Sequence, residues 1–488
     1  MKRGKFSLSH YKLFSCDMGE LIPCGLVEVL PGDTFQHATS LLVRASPLLA
    51  PVMHPVHVRI HHWYVPMRLL WSEWENFITG GPDGLNASVF PTRTINPSVG
   101  TLSDYLGITP GATSTVSALP YRAYAKIFNE FYRDEDLVTP LVVSTASGVD
   151  STTNTTLQRV AWEKDYFTSS RPWEQKGPTI TIPLGTTAPV IYNTPTGAAP
   201  IARNSATGTP FATGAGVLTD AGTGQLQVSS QGALIDPNGT LATDLTGASA
   251  VTMTILRQAA ALQRMEEARA RYGSRYSEYL RYLGVRSSDA RLQRPEYLGG
   301  GRQTIQFSEV LQTAADGANP VGTLRGHGIS AIRSNRYRRF FEEHGYVMSL
   351  MSVIPKTIYA QGLERTFNRR TKEDFWQKEL QHIGQQQVLN KEVYAAHTSP
   401  NGVFGYQDRY DEYRRHPSNI AAEFRTTLNF WHEARIFSSD PALNASFVTS
   451  TPSERIFATP ATDNLYIMAR HSIQARRLVA QTGSSYLK

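Results

Sequence analysis

Val56-His57-Val58-Arg59-Ile60-His61 is the stretch that decides the fold class. Apolar Val56, Val58 and Ile60 alternate with polar His57, Arg59 and His61, the period of two of a strand with one buried face. Pro66 closes the run. Upstream, 26–30 is a short apolar run ended by the turn signal Pro31-Gly32-Asp33. Downstream, 69–77 predicts a short amphipathic helix with Leu70, Trp74 and Phe77 on one face, stopped by Gly80-Gly81-Pro82. Tyr124, Ile127, Phe128 and Phe131 predict a helix over 121–132, and a dense aromatic cluster follows at Trp162, Tyr166, Phe167 and Trp173. The longest helical pattern is 254–284. There Ile255, Ala259, Leu262, Met265, Ala268, Tyr272, Tyr276, Tyr279 and Leu283 recur at steps of three or four, and Gly284 is a natural stop. That spacing predicts a buried face for the tyrosines. Residues 347–354 read as a strand ended by Pro355, and 367–380 as a helix. Many short strands, helices in the connections and no regular βαβ alternation predict a mainly β chain, a sandwich or barrel with elaborated loops.

With 488 residues the chain can bury a large core without staples. Cys16 and Cys24 are its only cysteines, which excludes a disulfide framework and Cys-based zinc modules and suits a reducing compartment. No apolar run reaches the length of a membrane-spanning helix, and the basic N-terminus lacks the apolar core of a secretion signal. The net charge of +7 is uneven. Residues 1–252 hold 16 basic and 19 acidic side chains, whereas 253–488 hold 32 and 22. Arg outnumbers Lys by 37 to 11, and guanidinium forks match phosphate and carboxylate oxygens. A C-terminal half that meets nucleic acid explains this balance, and so does a GC-rich genome.

Residues 178–252 are different material. Arg203, Asp220, Asp236 and Asp244 are their only charges, and Thr, Ala, Ser, Gly and Pro dominate. So long a loop is unusual inside a compact domain. We read it as a surface insertion, β-rich at best, with 179–182 and 225–228 as short strands. The body is then 1–177 and 253–488. A flexible linker between two domains is the other reading.

The search for chemistry finds little. His54, His57, His61 and His62 contain no His-x-His and have no acidic neighbour within ten residues, so they read as interface or surface histidines on a strand. Tyr272 and Tyr276 have the spacing of nicking nucleases but lack the histidine partner motif. There is no P-loop, no Gly-x-Ser-x-Gly elbow and no cofactor motif, and Gly299-Gly300-Gly301 reads as a flexible turn. The best nucleic-acid candidates are Arg333, Arg336, Arg338 and Arg339, interleaved with Tyr337, Phe340 and Phe341. Basic groups neutralise phosphates and aromatic rings stack on unpaired bases. Arg414 with Arg415 is a second basic run, and Arg470, Arg476 and Arg477 a third. A solvated or inter-subunit ionic face is the plain alternative for each.

Blocks along the whole chain then carry a resemblance. They include Cys16-Asp17-Met18-Gly19, Glu28-Val29-Leu30-Pro31-Gly32-Asp33-Thr34-Phe35, Trp74-Glu75-Asn76-Phe77-Ile78-Thr79-Gly80-Gly81, Asp289-Ala290-Arg291-Leu292-Gln293-Arg294-Pro295-Glu296-Tyr297-Leu298-Gly299-Gly300 and Glu423-Phe424-Arg425-Thr426-Thr427-Leu428. In order and together they resemble the major capsid proteins of microviruses, nearest the gokushovirus-like branch. The resemblance implies an eight-stranded viral jelly roll with long inter-strand loops containing helices, and a T=1 shell of sixty copies around circular single-stranded DNA. It also implies assembly in the bacterial cytoplasm, and an insertion at 178–252 that forms surface protrusions open to host attachment. Sixty copies at +7 carry about +420, far short of the phosphates of a genome of a few thousand nucleotides. A small basic packaging protein, polyamines or metal cations are therefore expected as helpers, beside the scaffolding and pilot proteins the resemblance implies; the host receptor stays unnamed. A β-rich replication protein is the second reading of the basic half, and an enzyme with scattered carboxylates the third.

Overall fold

Two antiparallel sheets face each other across the core. The computed structural model describes residues 3–180, six short strands between 190 and 243, and 253–480 apart from 274, 315, 316, 318 and 319. The chain divides into two compact units, one of Met1–Lys176 with Glu267–Lys488 and one of Gly177–Glu266.

In the first unit, the strands of these two sheets are β1 (Gly4–Ser7), β2 (His10–Cys16), β3 (Ile22–Val29), β4 (Thr34–Ala45) and β5 (Val56–Pro66), then β6 (Glu296–Thr304), β7 (Gln306–Leu311), β8 (Leu324–Arg333), β9 (Tyr337–Phe340), β10 (Gly345–Pro355) and β11 (Leu465–Arg477). The larger sheet runs β1-β11-β4-β8-β7, with β2 also on β11 and β9 also on β4. The smaller runs β6-β5-β10-β3. Val56, Val58 and Ile60 are fully buried between the sheets, as the alternation predicts. They meet Leu41 and Val43 of β4 and Ile467 and Ala469 of β11. A second cluster, Phe35, Tyr64, Phe341, Val347 and Ile473, fills the other end.

The smaller sheet is covered on its other side too. Trp63 and Val65 of β5 and Met348, Leu350 and Ile354 of β10 pack against Leu119, Tyr124 and Ile127 of the helix α1 (Leu119–Ile127). Burial on both faces is why β10 reads as a continuous apolar run. Among the described residues the larger sheet carries no such cover: Tyr466, Met468, Arg470, Ser472 and Arg476 of β11 are exposed and alternate with buried neighbours.

Several expectations are corrected. The 254–284 helix is broken at Gly273, which sits at φ 89°, into α2 (Met253–Tyr272) and α3 (Tyr276–Tyr282). Its tyrosines are not buried: Tyr272, Tyr276 and Tyr279 are 51%, 66% and 51% exposed. The 69–77 helix is a 3-10 turn at Met67–Leu69 and a separate helix at Trp74–Thr79. The 367–380 segment holds 3-10 turns, because the Asp374 carboxylate accepts from the amides of Arg370 and Thr371 at 2.7 and 2.8 Å and starts a fresh turn. Gly299–Gly301 is no flexible turn but lies inside β6. A Cβ on Gly300 would stand 2.3 Å from the Ile60 carbonyl oxygen, so this pairing needs glycine.

In the second unit, Leu218–Asp220, Leu226–Val228, Gly232–Ile235 and Ile201–Asn204 form one antiparallel sheet in that order, and Leu241–Thr243 pairs with Val190–Tyr192. The expected strand at 179–182 runs past the described residues.

Candidate nucleic-acid interface

The uncovered face of the larger sheet gathers cations that lie far apart in sequence. Buried Leu465, Ile467, Ala469, His471, Ile473 and Ala475 fix the inner side of β11, so Arg470 and Arg476 point outward. Arg333 and Arg470 oppose Ser40 of β4 from its two sides. Arg338 opposes Gln36, Arg476 opposes both Thr34 and Lys5, and Arg44 opposes Tyr466. These six cations are exposed, and among the described residues none pairs with a carboxylate. No outward position of β1, β2, β4, β8, β9 or β11 is acidic.

This array is electrostatically unfavourable for an isolated subunit. Arg333 and Arg470 sit two strand spacings apart, roughly 10 Å, which costs about 0.4 kcal/mol in water. Lys5 and Arg476 are directly opposite, a destabilising like-charge pair. A polyanion reverses the sign of every such term and releases counterions. Two aromatic rings join the face. Arg470 lies 5.7 Å from the Tyr11 centroid and Arg3 4.9 Å from that of Phe340. Tyr11 and Phe340 are 58% and 45% exposed, so each ring keeps surface for an unpaired base.

Of the sequence candidates, Arg333, Arg338, Arg470 and Arg476 stand on this face. Arg336 is exposed at its rim and donates to Gln36 Oε1 at 2.9 Å. Arg339 turns to the other sheet and pairs with Glu296 at 2.7 Å. Arg477 pairs with buried Asp33 at 3.0 Å and holds the end of β11 in place. Arg414 and Arg415 belong to the 3-10 turn at Asp411–Tyr413, where both pair with Asp411, at 3.5 and 3.4 Å. Arg415 also donates to Ser169 Oγ at 2.6 Å. Lys5, Arg44 and Tyr11 escaped sequence reasoning. Only their alternation signalled them, and their neighbours on β11 are more than 400 positions away.

Tyr337 is not a stacking platform. Its hydroxyl lies 3.0 Å from His37 Nδ1 inside the sandwich. His37, His62 and His471 are at most 1% exposed and divide the core into its two apolar ends. The network has one direction. His471 Nε2 lies 2.9 Å from the Cys24 carbonyl, so Nε2 carries the proton and Nδ1 accepts from the Thr39 hydroxyl at 2.9 Å. That hydroxyl then accepts from His37 Nε2 at 3.0 Å, and His37 Nδ1 accepts from Tyr337. His62 bridges Ser349 and Ser334 at 2.8 and 3.1 Å. Burial, then the neighbouring imidazoles, pushes His37 down to about 2 and His62 to about 3. Burial likewise takes His471 to about 4. Gly25 makes the room, since a Cβ there would stand 2.6 Å from the His471 ring. His54 is also buried, its Nε2 2.7 Å from the Lys356 carbonyl. The surface role expected for His54 and His62 is therefore corrected to a core role. Among the described residues no group of three His, Cys, Asp or Glu is placed to hold a metal ion.

Comparison with known proteins adds the following. A family model described as capsid protein (F protein) matches residues 1–487. Capsid protein VP1 of Bdellovibrio phage phiMH2K is 37% identical, over 93% of this chain and 89% of its own length. Capsid protein VP1 of Chlamydia phage 1 is 33% identical over 94% and 91%, and that of Spiroplasma virus 4 is 30% identical over 95% and 90%.

Proposed function

The chain belongs to the capsid protein (F protein) family of microviruses, and on that premise we propose that sixty copies close into a T=1 shell around circular single-stranded DNA. The family is structural rather than enzymatic, it assembles from many copies, and its place is the virion. The readings as a replication protein or an enzyme are set aside on that match. The single observation that carries the DNA reading is the asymmetry of the sandwich. One sheet is dressed by helices and loops, and the other presents a bare, acid-free face with six exposed cations. In a closed shell the bare face turns inward to the genome, and the dressed side supplies contacts with neighbouring copies and the outer surface.

The strand order favours an eight-stranded jelly roll. β2-β11-β4-β8 and β3-β10-β5-β6 make two four-stranded layers, and successive strands of these eight change layer except β5 and β6, which pair with each other. The 178–252 insertion leaves this body as a surface protrusion used in host attachment. Assembly takes place in the host cytoplasm, with scaffolding and pilot proteins and a small basic protein that supplies the charge the shell lacks.

Sedimentation and electron microscopy of purified particles, with nucleic acid assayed after nuclease treatment, test this reading. Uniform shells protecting single-stranded DNA are expected. Small oligomers that bind DNA without enclosing it, in lysate as well as in purified form, would overturn it.

A further inference from the structure

A cavity of about 700 Å³ opens on the covered side of the smaller sheet, between β5, β6, α3 and the loop 285–294. Trp63 and Phe131 wall it, stacked with ring centroids 4.1 Å apart, and Tyr297 leans on Trp63 at 5.0 Å. A short hydrogen-bond chain fixes its protons. The Trp63 indole N–H donates to the Tyr132 oxygen at 3.1 Å, and the Tyr132 hydroxyl lies 2.8 Å from His61 Nδ1. Tyr132 has no other acceptor among the described residues, so it donates to Nδ1, and His61 carries its own proton on Nε2. Burial, then the charge of Arg59, pushes His61 down to about 4, which keeps the ring neutral.

The charged lining is unbalanced. Arg294 ties up Asp289 at 2.6 Å. Arg281 and Arg286 line the same cavity, are exposed, and pair with no carboxylate among the described residues. A flat apolar wall, one fixed N–H donor and two unneutralised guanidiniums complement an anion carried on a flat or ring-shaped body.

We propose that this cavity is a binding site for a small ring compound bearing a phosphate or carboxylate. The ring lies against Tyr297 and the Trp63–Phe131 wall, the anion meets Arg281 and Arg286, and a ring oxygen accepts from His61 Nε2. A nucleoside monophosphate and an acidic monosaccharide share this chemistry. The site is separate from the cationic face of the larger sheet and does not depend on the DNA reading.

Equilibrium dialysis of purified particles against thymidine monophosphate and, separately, glucuronate at about 150 mM salt tests the site. Saturable binding of one or both, with Kd below about 1 mM, is expected, and the probe that binds identifies the source. Arg281→Gln with Arg286→Gln weakens it at least tenfold, and Tyr132→Phe weakens it several-fold by releasing the His61 tautomer. Lys372→Gln, on the exposed 3-10 turn at Lys372–Asp374 and outside both sites, leaves it unchanged. Absence of saturable binding by either probe at about 10 mM overturns the proposal, and so does equal binding by the double variant. If the double variant does not assemble, Arg286→Gln alone, on the exposed loop, gives the same reading. An electron-microscopy map of probe-soaked particles is a second measurement. Probe density in the cavity supports the site, and a neighbouring copy's side chains filling it overturn the proposal.

Discussion

Acid should weaken the sandwich through its histidine layer. An imidazole with an ordinary pKa near 6.5 in the unfolded chain binds a proton there as the pH falls. His37, His62 and His471 do not follow in the folded state, being pushed down to about 2, 3 and 4. Their contribution is therefore complete above pH 6.5 and is lost progressively below it, down through the folded values. At pH 5 the gap is about 1.5 units for each ring, or about 2 kcal/mol, and about 6 kcal/mol for all three. That matches the whole stability of many domains. Glu433 works the other way, because burial pushes it up to about 7, so the total curve is not the test. The test is the difference between wild type and His62→Gln, whose amide can still meet both serines. Urea unfolding of the soluble subunit at pH 7.5 and 5.0 should show wild type losing about 2 kcal/mol more than the variant. Equal losses would refute the reasoning, because His62 would then titrate alike in both states.

Three further outcomes are expected. Replacing Arg333, Arg338, Arg470 and Arg476 by Gln should lower packaged DNA with shell yield kept, and should reduce the salt slope of single-strand binding by about 3; intact DNA content with broken shells would make them subunit contacts. Gly300→Ala, which forces a Cβ to 2.3 Å from the Ile60 carbonyl, should cost about 2–4 kcal/mol in chemical denaturation. Arg122→Met should cost about 3–5 kcal/mol by the same assay, since it strands Asp150, now paired at 2.8 Å with both side chains at most 1% exposed.

Much of the body was legible because strand burial is periodic. Val56 to Ile60 announced one buried face, and Val347 to Ile354 announced a strand, which the structure buries on both. The helix expected over 121–132 was legible for the same reason, its apolar spacing matching a face packed on the smaller sheet, although the α-helix runs Leu119–Ile127 and Phe128–Tyr132 is a π-helical turn. The 367–380 segment failed because Asp374 offers backbone amides a local alternative to the helix. The tyrosines of α3 failed differently. Helical spacing reports an apolar stripe, not what covers it, and in a protein that assembles with its own copies a stripe need not be covered by its own chain.

The candidate site was harder to read because it belongs to no single segment. Within β11 burial alternates from Leu465 to Arg476 and puts Arg470 and Arg476 on the wet face, but the sequence masks it, since Tyr466 and Met468 on that face are apolar and His471 on the dry one is polar. Only the pairing of β11 with β4 shows that Arg333 and Arg470 flank one serine, and only the pairing with β1 brings Lys5 against Arg476. Those pairings join the two ends of the chain. A different pairing, of β9 with β4, explains Tyr337: the cluster of Arg around it suggested a base-stacking ring, yet period two sends it inward between Arg336 and Arg338, to the histidine that β4 places opposite. Charge in a basic cluster is thus sorted by strand parity, outward positions meeting solvent or polyanion and inward ones holding the sheet that displays them.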